Sequence, residues 1–168
     1  MRVRLRKITS HDDVAMAQII RGVLTEFGAN RPGFAWQDPE IDYLSCAYDK
    51  QGAAYYVIED DKKIMGGGGL MALAGVAGIC ELQKMYLLPA SRGLGLGMKL
   101  IDKLIDTATK FGYQACYLET LLCMEGANHL YQKTGFKRLD QSLGDTGHSS
   151  CDAFYVKKLS SAISTIDK

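Results

Sequence analysis

Residues 3–8 alternate apolar and basic side chains, the pattern of an edge strand with one covered face. Ser10, followed three residues later by Asp13, marks a capped helix start. Met16, Ile20, Val23, Leu24 and Phe27 then share a face at the 3.6-residue period, and Gly28 supplies the stop. Asn30-Arg31-Pro32-Gly33 reads as a loop and residues 40–48 as a second short helix. Residues 53–59 read as a strand, Asp60-Asp61 as a turn, and residues 64–73 as the hairpin partner. Four consecutive glycines, Gly66 to Gly69, interrupt that partner. Two readings are open for them: a bulge or flattened edge, or space left for a substrate. The first is preferred, because glycine in a strand interior most simply marks a bulge.

The second half alternates strand and helix. Residues 79–88 form an apolar strand closed by Pro89. After a glycine-rich turn, Leu100, Ile101, Leu104, Ile105, Ala108 and Phe111 fall on one helical face, and Gly112 ends it. Residues 114–119 give another strand, residues 125–134 a short helix ending at Gly135, and residues 136–139 and 153–159 two last strands. Strands first, then two strand–helix units, imply an α/β fold with one mixed sheet covered by helices. A single domain over residues 1–168 is expected, with a polar tail from Ser160 that frays.

The turn itself carries chemistry. Arg92-Gly93-Leu94-Gly95-Leu96-Gly97 stands between a strand and a helix. Amides at a helix start are unpaired and sit at the positive end of the helix dipole, and glycines let the backbone close on an anion, so the arrangement suits phosphate. A Walker loop would need Lys followed by Ser or Thr, but Lys99 precedes Leu100. A dinucleotide fingerprint would need a third glycine, where Met98 or Leu100 stands. What fits is Arg-x-x-Gly-x-Gly at Arg92, Gly95 and Gly97.

That block resembles motif A of the GNAT superfamily of acetyl-CoA-dependent N-acetyltransferases. Pro89 after the apolar strand resembles the exit of the family's fourth strand, and Leu130-Tyr131-Gln132-Lys133-Thr134-Gly135-Phe136 resembles its Leu-Tyr-x-x-x-Gly-Phe element. The likeness is sharpest over residues 80–139. It implies a central mixed sheet whose fourth and fifth strands splay around acetyl-CoA. It also implies that the amides of Arg92, Gly93, Leu94, Gly95, Leu96 and Gly97 take the pyrophosphate. Backbone groups of Met85, Tyr86 and Leu87 would bind the pantetheine arm and polarise the acetyl carbonyl. Glu81, the one carboxylate in its strand, becomes the base for the acceptor amine, set several residues before the splay. Its structural alternative is a pair with Lys84, and Glu119 is the competing base. Tyr131 becomes the acid for the departing thiolate, its alternative being a buried core aromatic. Where many relatives carry a pantetheine-binding Asn, this chain has Met124, and Asn128 is out of register. The implied reaction is direct transfer to a primary amine of a small molecule or amino acid. A protein N-terminus or lysine is the alternative acceptor, and a non-catalytic acyl-CoA sensor the alternative class. A homodimer is a tendency of the family.

Composition narrows the remainder. The 168 residues are 47% apolar with a net charge of +1, so no global field points to nucleic acid or an anionic membrane. No stretch approaches the ~20 apolar residues of a membrane span, and no apolar run follows the charged first residues, so a cytoplasmic protein is expected. Cys80 and Cys116, in apolar runs, read as buried thiols. His148 and Cys151 have a ligand-like spacing, but two candidates make a poor metal site and no metal is expected. Trp36, Tyr43 and Tyr48 could line an acceptor pocket or simply pack.

Overall fold

Seven strands form one mixed sheet in the computed structural model, which describes residues 2–160; the tail expected to fray lies almost wholly outside them. In chain order the elements are β1 (Val3–Lys7), α1 (Asp13–Glu26), α2 (Leu44–Ala47), β2 (Ala54–Asp60), β3 (Lys63–Ala72), β4 (Ile79–Leu87), α3 (Leu96–Lys110), β5 (Ala115–Thr120), α4 (Glu125–Lys133), β6 (Lys137–Leu139) and β7 (Ala153–Lys158). The sheet order is β1-β2-β3-β4-β5-β7-β6, and β4 with β5 is its parallel pair.

Each face of the sheet has its own helix. Along β2, Ala54, Tyr56 and Ile58 join the α3 side while Tyr55 and Val57 join the α1 side, as a period of two requires. The α3 stripe buries Leu96, Leu100, Ile101, Leu104 and Ala108. Each fully buried leucine or isoleucine there contributes roughly 2 kcal/mol over its exposed state. Phe111, expected on that stripe, is 45% exposed, because the helix has ended and the ring leans on Tyr113 instead. On the other face α1 buries Met16, Ile20, Val23 and Leu24. A 3-10 turn over Ser10–Asp12 leads into α1, and Thr9, not Ser10, caps that turn, sharing a capping box with Asp12. The β2–β3 turn likewise falls at Asp61 and Lys62, both with positive φ.

The glycine run lies inside the sheet, between β2 and β4, so it is a bulge but not an edge. A Cβ on Gly69 would stand 2.5 Å from a Tyr55 ring carbon and 2.7 Å from one of Tyr48. On Gly67 it would meet Tyr55 at 2.8 Å and the Tyr56 carbonyl at 2.7 Å. The space at Gly67 and Gly69 is filled by tyrosine rings, and that at Gly66 and Gly68 by Leu87 and Met85. Across from them Gly67 pairs with Tyr86 and Gly69 with Gln83, so Gly68 alone faces Lys84 and Met85. Lys84 takes the left-handed region at φ +48°, and the Tyr55 hydroxyl donates to its carbonyl at 2.7 Å. This bulge aims the last residues of β4.

Candidate active site

The site begins where β4 and β5 part. Their ladder consists of Ile79 with Ala115, Cys80 with Cys116 and Glu81 with Tyr117. Beyond Glu81 no residue of β4 pairs with β5, so Glu81 stands at the mouth of the splay and not several residues before it. β7 fills the far side of β5 through Thr120, which holds β5 in place while β4 bends away.

On one side of the splay runs a groove of about 660 Å³. Met85, Tyr86 and Leu87 form one wall, Gly93, Gly95 and Gly97 its end, and Ala127, Leu130 and Tyr131 of α4 the other wall. Gly93 and Gly95 each have φ +74°, which turns the chain into α3. No acceptor among the described residues meets the amides of Gly93, Leu94, Gly95, Leu96, Gly97 or Met98. A Cβ on Gly93 or Gly95 would touch nothing within 4 Å, whereas on Gly97 it would strike Leu130 at 2.8 Å. Free donors, a helix N-terminus and an open approach fit a pyrophosphate. Arg92 differs from its neighbours. Its amide donates to the Pro89 carbonyl at 3.2 Å, and its guanidinium grips Glu26 at 2.7 and 2.8 Å and the Leu87 carbonyl at 3.2 Å. Arg92 therefore braces the loop, and the loop's free donors start at Gly93.

On the other side lies a smaller cavity of about 80 Å³. It shares Met85, Tyr86, Met124, Ala127 and Tyr131 with the groove, so the two meet through the splay. Glu81 lines it and is 5% exposed. Burial raises its pKa above the ordinary carboxylate range, opposed by the Gln83 amide, which donates to it at 2.6 Å, and Glu119 adds to the rise. The Tyr48 hydroxyl donates in turn to the Gln83 carbonyl oxygen at 2.7 Å. Glu119 accepts from the Thr146 hydroxyl at 2.5 Å.

The cation once set beside Glu81 goes elsewhere. Lys84 bonds Asp38 at 2.9 Å and Glu40 at 3.0 Å, with its side chain 2% exposed. His148 bonds the same Asp38 oxygen at 2.8 Å. That bond raises the His148 pKa against the pull of burial. Burial alone would raise Asp38, yet His148 and Lys84 hold it below its ordinary value. Gln83, Lys84 and His148 thus line the cavity and Asp38 ties the last two together, and sequence reasoning gave none of the four such a role. The one available signal was Lys84, a lone cation in an apolar strand. His148 is tied to Asp38 rather than to Cys151, and among the described residues no group of three or more His, Cys, Asp and Glu side chains could hold a metal ion. Burial also pushes the Cys151 thiol up to about 12, so it stays protonated at neutral pH and is no nucleophile.

Tyr131 sits where groove and cavity join. It is 6% exposed and packs edge-on to Phe136, with centroids 6.0 Å apart. Its hydroxyl has no partner among the described residues, whereas the neighbouring buried Tyr155 donates to Asn128 at 2.7 Å. Burial raises the Tyr131 pKa, so the phenol keeps its proton. Asn128 is spent structurally, donating to the carbonyls of Leu121 at 2.8 Å and Met124 at 2.9 Å.

Comparison with known proteins agrees with this geometry. Residues 20–136 match the acetyltransferase (GNAT) family. The uncharacterized N-acetyltransferase YjgM of Escherichia coli K12 is 41% identical over 157 residues, 92% of this chain and 94% of the relative. A GNAT-family acetyltransferase from Staphylococcus aureus Mu50 superposes with a TM-score of 0.83 at 21% identity, covering 94% of this chain and 99% of that one. YncA, an acetyltransferase from Salmonella typhimurium solved with acetyl-CoA, superposes with a TM-score of 0.74 at 22% identity, covering 95% of each chain. The chain belongs to the GNAT superfamily and is an acetyl-CoA-dependent N-acetyltransferase.

Proposed function

We infer that the protein moves the acetyl group of acetyl-CoA directly to a primary amine of a small molecule or amino acid. One observation carries this reading. A phosphate-ready groove and a cavity holding a buried carboxylate open onto each other through the splay, with Tyr131 at the junction. Bound acetyl-CoA supplies an activated thioester carbonyl. The amides of residues 93–98 hold its diphosphate, and the unpaired edge of β4 at Met85, Tyr86 and Leu87 orients the acyl end. Glu81 takes the proton from the acceptor ammonium, directly or through water. The neutral nitrogen then bonds to the acetyl carbon as the carbon–sulfur bond breaks, Tyr131 gives its proton to the sulfur, and the second proton of the nitrogen passes through water to the phenolate, which leaves a neutral amide and restores Tyr131. Holding amine and thioester together removes the need for a covalent enzyme intermediate. Cys151, half-buried and protonated, agrees with direct transfer.

The cavity's size favours a small acceptor over a folded protein surface. At about 80 Å³ it admits an amine on a narrow stem. The test is a screen of primary amines and amino acids with acetyl-CoA, following free coenzyme A thiol and the mass of the product. Acceptor-dependent thiol release is expected. Tight acetyl-CoA binding with no acetylated product from any amine would favour a sensor.

A further inference from the structure

The geometry points to an acceptor of one charge type: a slender primary alkylamine with no carboxylate next to its amine. This rests on the acetyl-transfer reading above and chooses between the two acceptor classes it leaves open.

Three features of the cavity beside the splay carry the inference. The first is its width. Two loops close over it, joined by the Ser150 amide to the Gly33 carbonyl at 3.1 Å and by His148 to Asp38 at 2.8 Å. Leu24, Phe34, Leu121 and Met124 supply its apolar walls, which suit a hydrocarbon stem. The second is its negative end. Glu81 stands opposite Tyr117, and Glu119, two residues further along β5, shares the Tyr117 face, so two carboxylates flank one opening. Tyr131, 94% buried by its 6% exposure, closes the inner end with a hydroxyl that no described residue engages.

The third feature decides the class. An α-amino acid carries its carboxylate one carbon from the nitrogen, so a site for it needs a free cation or anion-binding amides close to the amine. Among the described residues no arginine lines this cavity, and the two cations that do are already bound: Lys84 by Asp38 and Glu40, His148 by Asp38. An amino acid would bring its carboxylate against Glu81 and Glu119 with no cation to meet it, and like charges placed together at a binding surface discriminate strongly. An ammonium on a bare stem has the opposite fit, since it stands between two carboxylates and delivers its proton to one of them.

The experiment uses the full chain with saturating acetyl-CoA and matched acceptors, pentylamine against norleucine and phenethylamine against phenylalanine. Each pair differs by the carboxylate alone. The amine is expected to exceed its amino acid at least about 100-fold in kcat/KM, and Glu119→Gln to narrow that ratio about tenfold. An amino acid used as well as its amine, or a ratio that Glu119→Gln leaves unmoved, overturns the inference while acetyl transfer stands. If none of the four compounds is acetylated the inference is also wrong. The broad acceptor screen then shows separately whether acetyl transfer itself survives.

Discussion

Replacing Glu81 with glutamine separates a catalytic carboxylate from a structural one, because the two roles give opposite signs in stability. The change keeps the shape, and the side-chain carbonyl can still accept the Gln83 N–H that now reaches Glu81 at 2.6 Å. What is lost is a charge and a base. An alkylamine with a pKa of about 10.4 is neutral in only about one molecule in a thousand at pH 7.4. A positioned general base contributes roughly 10²–10⁴-fold. With water left as the only base, kcat/KM is expected to fall roughly 10²–10³-fold at pH 7.4. Each further pH unit then recovers about tenfold until the amine itself is neutral. The wild-type profile rises only through the Glu81 ionisation, which burial has raised above its ordinary value, and then levels.

Stability moves the other way. The folded-state pKa of Glu81 lies above the unfolded value of about 4.3, so the folded chain tolerates the charged form less well than the unfolded chain does. Above both values the ionised carboxylate subtracts from stability, and below about pH 4.3 that penalty is gone. Glu81→Gln is therefore expected to melt higher than wild type at pH 8, with the difference shrinking as pH falls toward 4.3. Thermal melts at several pH values beside a kcat/KM profile complete the assay. A variant that is slow and also less stable at pH 8 would mark Glu81 as a structural ion, and wild-type rates at pH 7.4 would transfer the base role to Glu119.

The parts of the site visible in the sequence are those that short-range geometry sets. The spacing of Gly95 and Gly97 encodes a left-handed turn and a close helix contact, and both follow from backbone sterics alone. The α3 stripe and the strand before it are periodic, so the strand–loop–helix unit could be drawn without coordinates. The acceptor side is built differently. Lys84 meets Asp38 across 46 residues, and His148 meets Asp38 across 110. Nothing local to any of the three announces the others. The glycine run shows the same boundary. Its bulge was readable, but the rings of Tyr55 and Tyr48 that need the space come from other elements. Glu81 was legible as a residue and misplaced as a position, because strand pairing and not strand sequence decides where a splay begins.

Gly95→Val is expected to weaken acetyl-CoA at least tenfold by calorimetry, about 1.4 kcal/mol, since φ +74° resists a branched residue and the side chain would occupy the ligand's approach. Unchanged affinity in a folded variant would remove the pyrophosphate assignment. Gln83→Leu deletes the N–H that holds Glu81 toward its charged form, so the acid limb of kcat/KM is expected to move to higher pH with its plateau little changed, and an unmoved limb would show that Gln83 does not position the base. Tyr131→Phe tests the acid. The ring keeps its packing on Phe136 and Tyr155, and no protein group loses a partner because the hydroxyl has none among the described residues. The melting temperature and acetyl-CoA affinity should therefore hold. A thiol of pKa about 8.5 already leaves tolerably as thiolate, and an ordinary phenol near 10 is only a modest proton donor to it, so the loss in kcat is expected at roughly 10–100-fold. Burial raises the Tyr131 pKa further, which keeps the proton in place across the working range and leaves the wild-type profile without a basic limb from this residue. Full kcat in Tyr131→Phe at saturating acetyl-CoA and acceptor would show that the sulfur takes its proton from water.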